Sequence, residues 1–529
     1  MRPPTNPASD YLRARAAQAL GDPATAAASY ARALAAEPGN AVLAANALRQ
    51  AVQAGTWPLA RTAAARLEAN GAMPAEGLLW SLSDAVKRRD WKDARAVGER
   101  MEAGGAFNFL LPVTRAWIAF GARDKDPLAS LGTSNGPATK AYTDEHRALL
   151  LLAMKRRAEG AQAIAAASEG AAGRGQRLRL AGASSLAELG DRKAAAALLT
   201  GEAEPIRAGR ALLAARKNIP APVDDAAAGI AELFTRFAID LQRERVTPLA
   251  LALARLSTYL APDNSETWLV TAELLATDAQ ITPAIDALTQ VRPDDPFATV
   301  ARAMRTQLLV RDGNAAAALA EARPAAENPR ASVAEIVRYA DLLNEAKRYG
   351  ESAPLYARAI ALRQSSTSGA ELWLLHLLHG NALEQAGRWP EAKAALQEAY
   401  RIAPAEPQVL NALGYAQLER GENLTGAEAL IREASRLQPD DASITDSLGW
   451  ALFRRGKIGE AIPTLERAMA GDPRQAEIAE HLGDVYWAAG RRVDARYAWS
   501  AALIPANAEE AARLKVKLDT GLTPAVAAR

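Results

Sequence analysis

Four glycines, Gly380, Gly414, Gly449 and Gly483, stand 34, 35 and 34 residues apart, and this period constrains the fold more than any other feature of the chain. Small residues keep the same register. Ala392, Ala427, Ala461 and Ala495 follow the glycines, and Ala399, Ala434, Ala468 and Ala502 come seven residues later. Pro404, Pro439 and Pro473 close three of the units, with Asn507 in the fourth slot. Two amphipathic helices of about 13 residues and two turns fill about 34 residues. Glycine in the first helix and alanine in the second let the two backbones approach closely. Leu396, Ile431, Leu465 and Trp499, four residues after the first alanine, lie on the same helical face and fill the space between layers. Proline ends the second helix because it cannot continue the hydrogen-bond ladder.

A repeat array also accounts for a chain of 529 residues, which is too long for one ordinary core. Each unit buries its apolar face against its neighbours alone. Lys+Arg 63 against Asp+Glu 61 leaves a formal charge of +2, so no global field steers the protein toward nucleic acid. The basic stretches Lys155-Arg156-Arg157 and 174–179 have no aromatic platform beside them and read as solvated helix faces. With Cys 0, disulfides, thiolate zinc sites and thiol nucleophiles are excluded. Met1-Arg2-Pro3-Pro4 starts no apolar h-region, so no signal peptide is expected and the chain reads as cytoplasmic on its face. No apolar run is long enough to predict a transmembrane segment.

The pattern resembles the tetratricopeptide repeat (TPR) family, whose signature is a small residue at position 8, Ala at 20, an aromatic or aliphatic at 24, Ala at 27 and Pro at 32. In that register Ala14, Ala26, Tyr30, Ala33 and Pro38 form a first repeat, and Trp268, Ala272, Ala284, Leu288 and Pro296 a later one. The resemblance implies an all-α helix-turn-helix solenoid, a right-handed superhelix of roughly 10–14 repeats with a C-terminal capping helix. Five regions are expected: TPR-like repeats over 1–120, degenerate helical repeats with loops over 121–228, central repeats over 229–364, regular repeats over 370–507, and the cap over 508–518. Residues 121–145 read as a loop or irregular insertion, 200–228 as a divide between two arms, and 364–369 as a short insertion. In the cap, Ala511, Leu514 and Leu518 are expected to face inward, with Glu509, Glu510, Lys515 and Lys517 outward. Residues 370–520 are similar in a narrower sense to large bacterial envelope TPR proteins, among them adaptor lipoproteins of carboxyl-terminal processing proteases. That resemblance implies a periplasmic or outer-membrane-associated protein, with a protease or its substrates as partners.

Residue types that would carry catalysis are scarce. No Walker phosphate loop or nucleophile elbow occurs, and the glycines of 170–175 follow a helical pattern and read as a turn. His376 and His379 lie one helical turn apart, with no third ligand placed to complete a metal site. The chain is therefore read as a non-catalytic scaffold with no cofactor, binding protein partners in its groove. A regulatory or assembly subunit of an envelope polysaccharide or other enzyme complex is the alternative. In the TPR family the groove is lined by positions 2, 5, 9, 12 and 13 of each first helix. These positions give Asn381, Glu384, Asn411, Tyr415, Asp446, Trp450, Phe453, Arg454, Glu480, Asp484 and Trp487 as the candidate partner-binding residues. The aromatics among them are expected either to anchor a partner or to fill a tight superhelical interior. Position 5 reads Leu377, Asn411, Asp446 and Glu480, which disfavours the lysine-based carboxylate clamp of the family's chaperone-binding members.

Overall fold

A computed structural model describes residues 7–133, 137–169, 172–364 and 372–523. The opening residues 1–6, the 170–171 part of the glycine-rich turn and most of the 364–369 insertion lie outside the described residues. The fold is all-α, a solenoid of antiparallel helix hairpins, with no strand among the described residues. Among the described residues no helix is long and apolar enough to cross a membrane. Packing divides the chain into two units, Met1–Ala318 and Leu319–Arg529.

In the C-terminal unit the periodic small residues sit where the helices cross. Ala392, Ala427, Ala461 and Ala495 are fully buried, as are Ala399, Ala434, Ala468 and Ala502. A Cβ on Gly449 would lie 2.5 Å from Leu465, and one on Gly483 would lie 2.4 Å from Trp499. No side chain fits at either position, which explains why glycine recurs there. The first helices Leu372–Gln385, Pro407–Glu419, Ala442–Arg454 and Ala476–Ala488 pack against one another in sequence. Trp389–Ile402, Leu424–Leu437, Ile458–Gly471 and Arg492–Ala502 form the second helices behind them. A terminal helix, Ala508–Thr520, packs on the last of these.

The N-terminal unit begins with hairpins of the same kind and then departs from simple stacking. Helices Ala226–Arg243 and Thr247–Leu260 form an inner hairpin that packs against Ala41–Ala54, Ala75–Lys87, Leu111–Gly121 and Pro137–Ala153. Its glycine makes the approach possible, because a Cβ on Gly229 would lie 2.1 Å from the Trp117 ring. Tyr259 of the hairpin lies 4.9 Å from Trp57 and 5.2 Å from Trp80, and its hydroxyl donates to Asp84 at 2.8 Å. Lys87 donates to the Leu260 carbonyl at 2.8 Å. Arg177 is buried between Glu232 of the hairpin (2.8 Å) and Glu266. The proline-bearing stretch 200–228 lies inside this unit and contains the helix Glu204–Ala214.

Candidate functional site

The concave candidates of the C-terminal unit sit on four of its first helices, and most of their polar groups are used within the chain. Glu384 pairs with Arg420 at 2.6 Å. Glu419 accepts from the Trp450 indole at 3.0 Å and pairs with Arg454 at 3.3 Å. Asp446 meets His481 at 2.9 Å. Glu480 pairs with Arg513 at 2.7 Å and with Lys517 at 2.6 Å, and Asp484 holds Lys517 at 2.7 Å and the Trp499 indole at 2.9 Å. Except for Asp484 to Trp499, which closes within one repeat, each bond joins a first helix to the next repeat or to the cap. Charged positions in the groove thus lock the repeat stacking.

The aromatic candidates divide. Trp450 is not an exposed anchor: it is only 2% exposed, stacks on His481 with ring centroids 4.2 Å apart, and lies 5.2 Å from Phe453. Trp487 is half-buried against Trp499 at 5.4 Å, with the Arg492 and Arg496 guanidinium groups each 5.3 Å from its ring. Position 12 of the last first helix therefore faces its partner helix. Tyr415 is half-buried, and its hydroxyl donates to Glu477, two repeats further on, at 3.1 Å. Burial and the carboxylates of Glu477, Glu419 and Asp446 push its pKa up.

Lys517 corrects the outward-facing expectation for the cap. It is 0% exposed, its ammonium sits between Glu480 and Asp484, and it lies 5.9 Å over the Trp499 ring. The apolar face of the cap, including Leu514, does pack inward, but the buried carboxylates of the last repeat draw one lysine in with it. Glu480 is held below the usual carboxylate range: burial opposes its charge, and bonds from Arg513 and Lys517 override that. His481, also missed from sequence, is fully buried. Burial opposes its charge, yet Asp446 in contact, with Glu477 and Asp484 beyond it, raises its pKa to about 9. The signal was present in the repeat offset. Asp446 to His481 spans 35 residues and Asp484 to Lys517 spans 33, one repeat in each case.

Two buried acceptors on this face have no hydrogen-bond partner: Asn411 Oδ1 and Asp446 Oδ1. They occupy the same position on adjacent first helices, and Asn381 is half-buried on the helix before them. His376 and His379 are buried and half-buried, and burial lowers both pKa values. Among the described residues no three His, Cys, Asp or Glu side chains cluster as metal ligands would.

The tetratricopeptide repeat family matches this chain over residues 377–442 and 447–511, which covers the face just described. No curated protein sequence matches the chain. Among solved structures, a tetratricopeptide repeat protein of Parabacteroides merdae is similar at 14% identity, over 49% of this chain and 99% of that one, with a TM-score of 0.43. A thermophilic TPR protein of Thermus thermophilus is similar at 19% identity over 36% and 98% of the two chains, with a TM-score of 0.31. YrrB, described as a TPR protein with an unusual peptide-binding site, is similar at 19% identity over 37% and 97%, with a TM-score of 0.27.

Proposed function

We propose that this protein is a non-catalytic scaffold that holds a protein partner on the concave face of its C-terminal unit. The observation that carries this reading is the row of half-buried side chains, Asn381, Asn411, Tyr415 and Phe453, that three successive first helices present on this face. The setting favours the same face. In the N-terminal unit the helices Ala41–Ala54, Ala75–Lys87 and Leu111–Gly121 meet the inner hairpin, whereas the helices of the C-terminal unit pack on neighbours one or two places along the chain. Asn381 and Asn411 would contribute hydrogen bonds, and the half-buried edges of Tyr415 and Phe453 would contribute apolar surface. A non-catalytic role is supported by the use of the Glu384, Glu419, Glu480 and Asp484 carboxylates in bonds to the next repeat or to the cap.

Within this reading, the resemblance of residues 370–520 to envelope adaptor proteins favours a carboxyl-terminal processing protease or its substrate as partner. Capture from the native host, read by mass spectrometry, tests the partner class. A co-purifying protease of that type supports the adaptor role, and a polysaccharide synthase would replace it with an assembly role. The groove is tested by the double substitution Asn381→Ala with Asn411→Ala. Capture should fall at least tenfold while the melting temperature stays within about 2 °C, because both side chains are only half-buried. Unchanged capture by a folded double variant would move the binding surface elsewhere.

A further inference from the structure

A cleft of about 680 Å³ opens in the N-terminal unit. The turn 20–24, the helix Thr247–Leu260 and the start of the helix Ile281–Leu288 line it, and it is large enough for a ligand of drug size. Arg255 lines the cleft from the inner hairpin. Its Nε donates to the Gln53 carbonyl at 2.9 Å, at the C-terminal end of the helix Ala41–Ala54. The negative end of that helix dipole accounts for a cation held there without a carboxylate. It does not account for the rest of the group, because the two Nη nitrogens have no partner among the described residues. Burial lowers the Arg255 pKa to about 10, and no carboxylate is near enough to raise it again.

The rim has the opposite character. Asp22, Asp278, Asp286 and Asp312 line the same cleft and are exposed. Two of them are engaged locally: Asp22 accepts from the Thr25 amide at 2.9 Å, and Asp278 accepts from Gln280 at 2.6 Å. Asp286 and Asp312 carry no ion pair among the described residues. The half-buried Trp268 lines the cleft as well and supplies an apolar wall. A guanidinium without an ion pair, exposed carboxylates without one and an apolar wall in one cleft call for a ligand that carries an anionic group, a cationic group and an apolar span.

We infer that this cleft binds the carboxy-terminal end of a short peptide that carries a lysine or arginine. The terminal carboxylate meets the Arg255 guanidinium as a charge-assisted, bidentate pair. The basic side chain reaches Asp286 and Asp312, and the intervening apolar atoms lie on Trp268. A free basic amino acid has the same charges without the apolar span, and the cleft is larger than it would fill.

Calorimetric titration of the full chain tests this with four probes: the tripeptide Ala-Lys-Leu as free acid, the same peptide as C-terminal amide, Ala-Glu-Leu as free acid, and free lysine. The expected result is measurable affinity for the first probe and at least tenfold weaker affinity for each of the other three. Arg255→Gln should weaken Ala-Lys-Leu at least tenfold. Asp286→Asn with Asp312→Asn should weaken it without affecting the melting temperature, since both residues are exposed. If Arg255→Gln lowers the melting temperature, the acid–amide comparison on the unaltered chain still decides the role of the carboxylate. Equal binding of acid and amide overturns the inference, as do equal binding of free lysine and no binding of Ala-Lys-Leu. The double variant Asn381→Ala with Asn411→Ala should bind Ala-Lys-Leu as the unaltered chain does, which separates this cleft from the concave face.

Discussion

In the N-terminal unit the helices Ala41–Ala54, Ala75–Lys87 and Leu111–Gly121 meet a hairpin from more than a hundred residues further along the chain, whereas in the C-terminal unit helices pack on those one or two places along. Both units use one building block, yet their contacts differ in range. A repeat that touches only its neighbours loses stability locally, because the array behaves as a row of nearest-neighbour terms. A repeat wrapped around an inner hairpin is coupled to distant helices and should open with them. The interior also differs in charge. In the N-terminal unit the Trp117 indole donates to His146 Nδ1 at 3.0 Å, which requires that nitrogen to be unprotonated. In the C-terminal unit the Trp450 ring stacks on a histidine that faces a carboxylate.

The largest expected effect tests the coupling. Trp117→Ala removes a fully buried indole on which Gly229 closes, at about 3–5 kcal/mol. Amide hydrogen exchange should show protection falling together in Leu111–Gly121 and in the inner hairpin Ala226–Arg243 and Thr247–Leu260. Loss confined to Leu111–Gly121 would make the N-terminal unit as modular as the C-terminal one.

Lys517→Ala is the matched experiment at the other end. It leaves Asp484 and Glu480 buried with fewer cations, and removing one member of a buried pair costs roughly 3–5 kcal/mol. Here protection should fall in the terminal helix Ala508–Thr520 and the last repeat and remain in Pro407–Glu419. Loss spreading evenly back to Pro407–Glu419 would contradict nearest-neighbour behaviour. Lys517→Met should cost as much as Lys517→Ala if the charge is what matters, and clearly less if the packing of the stem dominates.

The two histidines make the units respond to pH in opposite directions. His146 is held down to about 3, first by burial and then by the Arg177 and Arg236 cations, so the folded N-terminal unit keeps it neutral. An unfolded chain protonates it near 6.5, so its stabilising contribution is lost as the pH falls from there toward 3. His481, at about 9 in the fold, contributes fully below 6.5 and loses that contribution as the pH rises through 9. Each shift corresponds to roughly 3–5 kcal/mol at full titration. Protection, taken relative to the intrinsic exchange rate at each pH, should therefore fall with acid in Pro137–Ala153 and with alkali in Ala476–Ala488. His481→Gln should flatten the alkaline limb alone, and an unchanged limb would remove Asp446–His481 as its cause.

Much of this was readable in the chain, for an identifiable reason. Steric rules repeat with the fold, so glycine before Leu465 or Trp499 and alanine at each crossing announced the hairpins and their period. The inner hairpin was not readable as such. Ala250, Ala254 and Pro262 obey the same local pattern whether a helix stacks in line or turns inward, and that choice depends on partners such as Gly229 against Trp117. On the concave face, sequence position named candidate helices but not the direction of their polar groups. Glu480 and Asp484 were expected to face a partner, and Trp450 either to anchor one or to fill the interior; all three bond within the chain, to Arg513, Lys517 and Glu419. Family positions describe a surface, and whether a charge there is free depends on what stands one repeat away.

Tyr415 gives the smallest and most discriminating test of that lesson. Its hydroxyl reaches Glu477 at 3.1 Å across 62 residues, bridging two repeats within a unit otherwise held by nearest-neighbour bonds. Tyr415→Phe keeps the ring and removes the bond, a loss of about 0.5–1.5 kcal/mol. If the bridge adds longer-range coupling to the C-terminal unit, the loss should appear in both Pro407–Glu419 and Ala476–Ala488, and a double cycle with Glu477→Gln should show non-additivity of about 0.5 kcal/mol or more. Additive effects would show that the two residues act independently and that this unit is nearest-neighbour throughout. The comparison with the N-terminal unit would then be sharper. The Glu477→Gln variant also bears on the groove, because it removes a negative charge that stands with Asp446 around Tyr415. Capture of a basic partner segment should then fall, and capture of an acidic one should rise, at low salt.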